Sequence, residues 1–343
     1  MGCREAVIRL DKLEAPYPPP ESVLAALEKG LQELNKYSDE GLAEELRSEL
    51  ASHHGLEEDS VTLLGSRATA VLAVLGLVAR LRKRRPRLVA PSPGLQELRR
   101  LLESHADGVI EVALVERDES WRIPLDELLG EIGRADLVVL DNPSDPTGSL
   151  ILRSLGEARD LLEEACRRET IVLMDESFYE FSGFSIADLV EPYPCLIVMR
   201  SMEQAYALAG TGLVYLISSD KLAQELSRLV PQPSRLSLLA GLAALRNQGY
   251  YFKMVERLIA ERERTRQLLL GLSGVYAYRS WSSFLLVRTS IERVAEKLCS
   301  QGVAVAGTTL GNNYARISIG NQGDNNSLLA ALTRLLMEES KLS

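Results

Sequence analysis

The segment TIVLMDESF, residues 170–178, places five apolar or β-branched residues in a row directly before an acidic residue, Asp175. A run that is apolar on both faces is typical of a strand in a parallel sheet covered by helices on both sides. Five further segments share this pattern and end in small or polar residues: RLVAPS (87–92), GVIEVALV (108–115), DLVVLDNP (136–143), CLIVMRS (195–201) and GLVYLISS (212–219). Together they predict the interior of a mostly parallel sheet.

Amphipathic helical patterns separate these strands, for example GLQELRRLLESHA (94–106) and SLGEARDLLEEACRRE (154–169). Strands that alternate with helices predict the α/β class. In such sheets ligands bind beyond the carboxyl ends of the strands. The polar segments DNPSDPTG (141–148), DESF (175–178) and RSMEQ (200–204) each fall where a strand ends, so we expect the functional site there.

The pattern changes at about Leu236, where two helices, the second long and charged, precede a short α+β region. We therefore predict a large domain over residues 36–235 and a small C-terminal domain over residues 236–343. Residues 1–35 are predicted to form an N-terminal arm and a segment associated with the small domain. The proline-rich part of this arm, EAPYPPPES (14–22), is predicted to be extended.

The composition limits the classes of function. The net charge of −9 argues against a nucleic-acid surface, and no apolar run has the length of a membrane span. We interpret the basic segment ARLRKRRPR (79–87) as a helix C-terminus that ends before Pro86, although an anion or RNA patch is the alternative. The N-terminus lacks the apolar core of a secretory signal, which predicts a cytoplasmic protein.

The cysteines and histidines are few. Cys3, Cys166, Cys195 and Cys299 are far apart and show no CxxC spacing, so we expect isolated thiols in a reducing compartment. Three histidines, of which His53 and His54 are adjacent, make a metal cluster unexpected. These two histidines lie at a polar helix end, where we expect no chemical role.

Five motifs occur in a characteristic order along nearly the whole chain: LDKLEAPYPPPESVLAAL, LNKYSDEGLAEELRSELASHHGL, DNPSDPTG, DESFYEF and ARISIG. This order resembles the class I/II aminotransferases of the fold-type-I pyridoxal-phosphate (PLP) superfamily. The histidinol-phosphate aminotransferases and threonine-phosphate decarboxylases are the most similar branch. The resemblance implies an α/β fold-type-I large domain with a smaller α+β C-terminal domain, PLP as cofactor, and a dimer.

The resemblance also implies roles for particular residues. Asp175 matches the carboxylate that keeps the pyridine nitrogen of PLP protonated. Arg316 in ARISIG matches the arginine that binds a substrate carboxylate through two parallel hydrogen bonds. The remaining implied cofactor ligands are Gly65, Ser66 and Arg67 at a helix N-terminus, Ser201, and Tyr37, which would reach the phosphate in the other subunit of a dimer.

The decisive departure from this pattern is Gln204, which stands where the family has the lysine that holds PLP as a Schiff base. An amide cannot form this imine and does not titrate near neutral pH. The chain has no lysine between Lys83 and Lys221 that could replace it.

Other departures affect separate parts of the same site. The phosphate-binding arginine is replaced by Gly212, and the serine before the lysine by Glu203, which adds a negative charge. Asp145 replaces an asparagine and Phe178 a tyrosine, both of which donate to the phenolic oxygen of PLP. The positions of the aromatic residue that stacks on the ring hold Pro93 and Gln96.

Several of these residues also have a purely structural interpretation. Asp175 could cap the turn that follows its strand, Ser66 could be only an N-cap, and Arg316 could form a salt bridge between the domains. We favour a carboxylate or anion contact for Arg316. Tyr37 suits a dimer interface in either case. Gln204 is expected to fill the space of the lysine with hydrogen bonds.

Two classes of function follow. One is a non-catalytic homologue that acts as a structural or regulatory subunit and keeps an anion- or carboxylate-binding cleft. Serine-palmitoyltransferase-like heterodimers, in which one subunit lacks the lysine, are the family precedent for an active partner. The alternative is an enzyme that uses PLP or PMP on a small or phosphorylated amino acid without a covalent link. The family's sugar deoxygenases do so with histidine at the lysine position, and glutamine is a poorer base.

Overall fold

A seven-stranded sheet forms the centre of the large domain. The structure is a computed structural model, and it describes residues 7–37 and 40–340. The strands of this sheet are β2 (Val61–Leu64), β3 (Leu88–Ser92), β4 (Val109–Ala113), β7 (Leu137–Asp141), β8 (Ile171–Asp175), β9 (Leu196–Ser201) and β10 (Val214–Ser218). All six strands predicted from the sequence are confirmed. The short strand β2 was not predicted.

The strand order is β2-β10-β9-β8-β7-β3-β4. The pairs from β9 through β8, β7 and β3 to β4 are parallel, whereas β10 is antiparallel to both β9 and β2. This confirms a mostly parallel sheet. The carboxyl ends of β7, β8 and β9 consequently lie side by side at one edge, with Asp141 directly opposite Asp175.

Both faces of the sheet are buried. In β8, Val172 and Met174 pack into one apolar cluster, while Ile171 and Leu173 pack into a second cluster on the other face. Successive side chains of a strand point to opposite faces, so a strand covered on both sides must be apolar throughout. This is the physical reason why the continuous apolar runs marked the strands.

Helices connect the strands of the chain and cover both faces of the large sheet. Their bounds are α1 (Glu21–Leu31), α2 (Glu40–His54), α3 (Arg67–Arg82), α4 (Arg99–His105), α5 (Leu125–Ile132), α6 (Leu155–Arg167), α7 (Tyr179–Ser182), α8 (Asp220–Ser227), α9 (Arg235–Leu245), α10 (Gln248–Leu270), α11 (Val294–Ser300) and α12 (Gln322–Ser340). The hairpin β5 (Val115–Arg117) and β6 (Ser120–Arg122) lies apart from the main sheet.

The C-terminal region contains a five-stranded sheet of order β1-β13-β14-β12-β11. It consists of β11 (Val275–Ala277), β12 (Phe284–Thr289), β13 (Val303–Thr308), β14 (Gly311–Ser318) and, from the N-terminal arm, β1 (Ile8–Leu10), which pairs in parallel with β13. Helix α1 packs against α9, where Gly30 lies against the side chains of Leu236 and Leu239. The arm therefore contributes to the small sheet and also contacts the helices that follow the large one.

The expectation of isolated thiols is wrong. Cys166, near the end of α6, and Cys195, just before β9, form a disulfide with a Cα–Cα distance of 5.5 Å. Cys299 is also disulfide-bonded, and Cys3 lies outside the described residues. The two cysteines of the described pair are 29 residues apart in sequence and meet only because α6 packs beside β8 and β9, which sequence spacing did not reveal.

The basic segment forms a helix end, as predicted. Helix α3 ends at Arg82, and Lys83 follows in a left-handed conformation. Arg80 pairs with Glu225, and Arg84 pairs with Asp136 at 2.8 Å. Carboxylates thus already engage these cations. Over the described ranges there is no helix of membrane-spanning length and hydropathy, and no group of His, Cys, Asp or Glu side chains arranged to hold a metal.

Candidate functional site

The ends of three neighbouring strands bring polar side chains together at the edge of the large sheet. Asp141 ends β7, Asp175 ends β8 and Ser201 ends β9, and all three are buried. The sequence predicted this position for Asp175 and Ser201. Helix α3, whose first residue is Arg67, and β14 of the small domain, which carries Arg316, contribute the cations.

Asp175 is held by an arginine of the chain itself. Its Oδ2 accepts a hydrogen bond from Nη2 of Arg67 at 2.5 Å. Its Oδ1 accepts from the backbone N–H and the hydroxyl of Ser177, at 2.9 and 2.5 Å. Burial alone would lower the pKa of Arg67, but the charges of Asp175 and Glu97, with the hydrogen bond to Asp175, together outweigh it and raise that pKa. Both carboxylate oxygens of Asp175 are therefore engaged by protein groups.

Arg316 forms the salt bridge between domains that was the structural alternative for this residue. Its Nη1 donates to Oδ2 of Asp145 at 2.6 Å, and its Nη2 donates to the carbonyl of Asp11 at 2.9 Å. Glu97 lies within 3.2 Å of Arg316 and 3.4 Å of Arg67, so its carboxylate bridges the two arginines. Asp145, which the resemblance places near the phenolic oxygen of PLP, thus has its carboxylate against Arg316.

Further hydrogen bonds join the two domains around this ion pair. Nε2 of Gln96, at a position where the family has its aromatic ring, donates to the carbonyl of Gly307 at 3.1 Å. The backbone N–H of Trp281 donates to the carbonyl of Gly148 at 2.7 Å. A Cβ on Gly148 would lie 2.4 Å from the hydroxyl of Ser280, which shows how closely these two segments of the chain approach each other.

The expected phosphate ligands are engaged by protein groups in this structure. Ser66 is the N-cap of α3, and its hydroxyl accepts from the N–H of Thr69 at 3.1 Å. The hydroxyl of Ser201 donates to Oε2 of Glu203 at 3.2 Å and accepts from the N–H of Glu203 at 3.1 Å. Burial raises the pKa of Glu203, whereas the charge of Arg67 acts in the opposite direction. An acidic side chain therefore lies against the serine that was expected to bind a phosphate.

Gly212, which stands where an arginine was expected, is required by its backbone. Its φ is +68°, and a Cβ at this position would lie 2.4 Å from the carbonyl oxygen of Gly65. Residues other than glycine rarely adopt a positive φ. The carbonyl oxygen of Gly65 is a backbone atom, so it cannot move away as easily as the end of a flexible side chain. The expected phosphate-binding loop at Gly65 is thus packed directly against the segment after Gln204.

Gln204 itself is 7% exposed, and its Oε1 has no hydrogen-bond partner among the described residues. The expectation that its amide fills the space of the lysine with hydrogen bonds is therefore wrong for this oxygen. Its chain neighbours Ser201 and Glu203 form a hydrogen bond with each other.

Phe178 and Tyr37 take positions of different kinds. Phe178 is buried, and its ring meets the edge of Phe284 at 5.3 Å, while the guanidinium of Arg316 lies over the same Phe284 ring. Tyr37 is 99% exposed and lines a surface cleft with Glu33, Leu34 and Pro233. That cleft contains none of the other predicted site residues, so Tyr37 lies apart from them within one chain.

Asp141, the first residue of the motif DNPSDPTG, is a candidate site residue that the sequence did not single out. Its Oδ2 accepts from the N–H groups of Asp145 and Leu95, at 2.7 and 3.0 Å, and its Oδ1 is unpaired within the described part of the chain. Burial, together with the negative charges of Asp145 and Asp175, raises the pKa of Asp141 to about 7. The hydrophobic strand before it, which ends in a carboxylate, was the available signal.

The pKa of Asp141 predicts a pH-dependent effect of Asp141→Asn. Because the pKa is about 7 in the folded state and near 3.8 in the unfolded state, the folded wild type binds more protons between these values. Its stability relative to the variant should therefore decrease as the pH rises from about 4 to 7, by roughly 1.4 kcal/mol per pH unit. Urea unfolding between pH 4 and 8 measures this, with the exposed Asp126→Asn as control. A pH-independent difference would contradict the assignment.

A second buried network was not predicted, because His54 was assigned to a polar helix end without a chemical role. Its Nε2 lies 2.8 Å from the hydroxyl of Tyr215 and its Nδ1 lies 2.9 Å from Nη1 of Arg200. Arg200 also pairs with Glu176 at 3.1 Å. Burial, with the charge of Arg200, lowers the pKa of His54 to about 2, so this imidazole is neutral. The network fixes the end of α2 against β9 and β10.

The two-domain α/β architecture is that of the fold-type-I PLP-dependent transferases. The structure aligns with histidinol-phosphate aminotransferase from Sinorhizobium meliloti, solved in complex with pyridoxal-5'-phosphate, at a TM-score of 0.85 and 23% identity. The alignment covers 98% of this chain and 92% of the other. A putative aminotransferase from Burkholderia pseudomallei aligns at a TM-score of 0.79 and 27% identity, over 96% of this chain and 98% of the other.

The family model for aminotransferase class I and II matches residues 5–335, and the chain belongs to this family. Histidinol-phosphate aminotransferase from Sulfurisphaera tokodaii is 30% identical over 334 residues, which cover 96% of this chain and 90% of the relative. The enzyme of the same name from Chromohalobacter salexigens is 33% identical over 342 residues, 96% of this chain and 93% of the relative.

The family is PLP-dependent, but the residues of this chain do not fit the cofactor. The carboxylate of Asp175 that would contact the pyridine nitrogen already accepts a hydrogen bond from Arg67, and Gln204 stands at the lysine position. The carboxylates of Glu203, Asp145 and Glu97 lie near the groups that would meet the phosphate and the phenolic oxygen. Like charges at close range oppose the binding of this dianion.

Proposed function

We propose that this chain is a non-catalytic member of the aminotransferase class I and II family and that it acts as a structural or regulatory subunit. The observation that carries the proposal is the buried ion pair of Arg67 and Asp175, because it occupies the carboxylate on which PLP chemistry depends. Gln204 further supports the proposal, because its amide leaves no imine-forming amine at the family's lysine position.

The ion pairs between the domains support a structural role. Both terminal nitrogens of Arg316 are engaged, Nη1 by Asp145 and Nη2 by Glu97 and the carbonyl of Asp11. Of its two carboxylate partners, Glu97 has the exposed side chain, at 44%. A small carboxylate would therefore reach Arg316 by displacing Glu97. We propose that the cleft beside Glu97 binds an anion or carboxylate in this way.

The proposed assembly is a dimer, either of two copies of this chain or with an active homologue. The exposed Tyr37 supports this, because an aromatic side chain with a polar tip is typical of interfaces. In a heterodimer, Tyr37 would complete the site of the active subunit. We further propose a cytoplasmic location. The Cys166–Cys195 disulfide is compatible with this location, because intracellular proteins of hyperthermophilic organisms are rich in disulfides.

A turnover assay tests the absence of catalysis. Purified chain is incubated with PLP, L-alanine and 2-oxoglutarate, or with L-histidinol phosphate as the amino donor, and glutamate is measured. We expect no glutamate above the protein-free control, because the position of the family's lysine holds Gln204, whose amide can neither form the imine nor act as the base near neutral pH. Sustained formation of glutamate that is proportional to protein and abolished by Arg316→Gln would contradict the proposal.

A further inference from the structure

A cavity of about 510 Å³ lies beside the segment that follows Gln204. It is bounded by Ala205 and Tyr206 of that segment, by Tyr179 and Glu180 of helix α7, and by the first two turns of α10. Its volume is within the range of sites for small molecules. It is distinct from the ion pairs of Arg67 and Arg316, none of whose members lines it.

Aromatic rings form much of the wall of this cavity. Tyr206 and Tyr251 lie with their ring centroids 5.1 Å apart, and Tyr179 and Phe252 add two further rings. Arg200 already lies over the ring of Tyr179 at 3.8 Å, so Tyr206, Tyr251 and Phe252 remain for a ligand. The faces of aromatic rings attract cations, most strongly where water is excluded.

The charge of the lining is negative. Glu180 contributes a carboxylate, and no lysine or arginine is among the described residues that line the cavity. Within the described ranges, Glu180 has no ion pair within 4 Å, and the nearby charge of Arg200 is directed at Glu176, Ser185 and His54. The carboxylate of Glu180 therefore lacks a direct counter-ion.

A polar group inside the cavity is also unsatisfied. Tyr251 is 3% exposed, and its hydroxyl has no hydrogen-bond partner among the described residues. A buried hydroxyl without a partner costs free energy, so a ligand that accepts or donates a hydrogen bond there gains affinity. This is a second observation, independent of the charge of Glu180, that indicates a ligand.

Two other groups that face the cavity do not reverse this charge. Gln248 and Gly249 belong to the first turn of α10, where the helix dipole contributes about half a positive charge, less than the full charge of Glu180. Burial, followed by the charge of Arg200, lowers the pKa of His53, so its ring is the neutral form near pH 7. A cation remains the preferred ligand.

We infer that this cavity binds a small organic amine, with the ammonium group on Glu180 and the apolar body among Tyr206, Tyr251 and Phe252. Burial raises the pKa of the Glu180 carboxyl to about 7. A bound ammonium would supply the missing counter-charge and favour the ionised carboxylate. This inference does not depend on the proposed function, because it concerns a separate part of the chain.

Calorimetric titration at pH 8 of the full chain with phenethylamine tests the inference. 2-Phenylethanol and phenylacetate serve as neutral and anionic probes of similar size. We expect saturable binding of one phenethylamine per chain, at least tenfold tighter than either control probe. Equal affinity for the neutral probe, or no saturable heat with the amine, would overturn the inference.

Variants locate the binding site. Glu180→Gln keeps the size of the side chain and should weaken phenethylamine binding at least tenfold, whereas the exposed Glu191→Gln should leave it unchanged. Phe252→Ala, at a side chain that is 67% exposed, removes a ring without a buried void and should weaken binding several-fold. If both Glu180→Gln and Phe252→Ala bind the amine as the wild type does, the assignment to this cavity is wrong.

Discussion

Replacement of Arg67 by methionine should destabilise the protein by about 3–5 kcal/mol, since it leaves Asp175 buried without its counter-charge. Arg67 is 7% exposed and its guanidinium lies 2.5 Å from Asp175. If the pair is structural, the free energy of unfolding measured in urea at pH 7 decreases by this amount. Addition of Asp175→Asn to Arg67→Met should restore part of the loss, because the double variant no longer buries an unpaired charge.

The matched control for this experiment is Arg80→Met. Arg80 pairs with Glu225 on the surface, where its side chain is 47% exposed. Pairs in such positions contribute at most about 1 kcal/mol. If Arg67→Met and Arg80→Met had the same small effect, the Arg67–Asp175 pair would not be a structural element. A site that is free for a cofactor would then again be the better description.

The second large effect is expected at Gly212. Gly212→Ala should cost about 1–2 kcal/mol for its positive φ and about 1–3 kcal/mol more for the collision of Cβ with the carbonyl of Gly65. Gly183→Ala separates the two contributions, because Gly183 has a φ of +66° but no atom within 4 Å of its would-be Cβ. Urea unfolding should therefore show a larger loss for Gly212→Ala than for Gly183→Ala.

The same contact explains why this chain lacks the arginine that the family has at position 212. The double variant Gln204→Lys/Gly212→Arg restores both expected residues, yet the backbone at 212 does not accommodate a side chain. We expect this variant to be less stable than the wild type and to gain no transaminase activity. Equal stability of Gly212→Ala and Gly183→Ala would show that the loop at Gly65 is not closed in the way described.

The sequence predicted the large sheet well because its strands are apolar on both faces. The strand β2, with four residues, was too short to stand out. Strand β1 was not predicted because its partner, β13, lies almost 300 residues away in the sequence. The disulfide of Cys166 and Cys195 was not predictable from a separation of 29 residues without the packing of α6 against the sheet.

The sequence predicted which of the candidate residues end the strands, but not what those residues contact. Residues at strand ends, such as Asp175 and Ser201, follow from local pattern. Their partners do not, because Arg67 lies 108 residues from Asp175, and Arg316 lies 171 residues from Asp145. Gly212 was interpreted as the loss of an arginine, whereas its positive φ and contact with Gly65 give a structural reason for glycine that only the backbone reveals.

We propose that this chain does not bind PLP through a lysine at the family's site. Incubation of the purified wild type with PLP, followed by reduction with borohydride and peptide mapping by mass spectrometry, tests this proposal directly, with absorbance recorded during the titration. We predict no stoichiometric pyridoxyl-lysine and no saturable absorbance change. A stoichiometric adduct at one lysine, for example Lys12 beside the Asp11 carbonyl that contacts Arg316, would contradict the account.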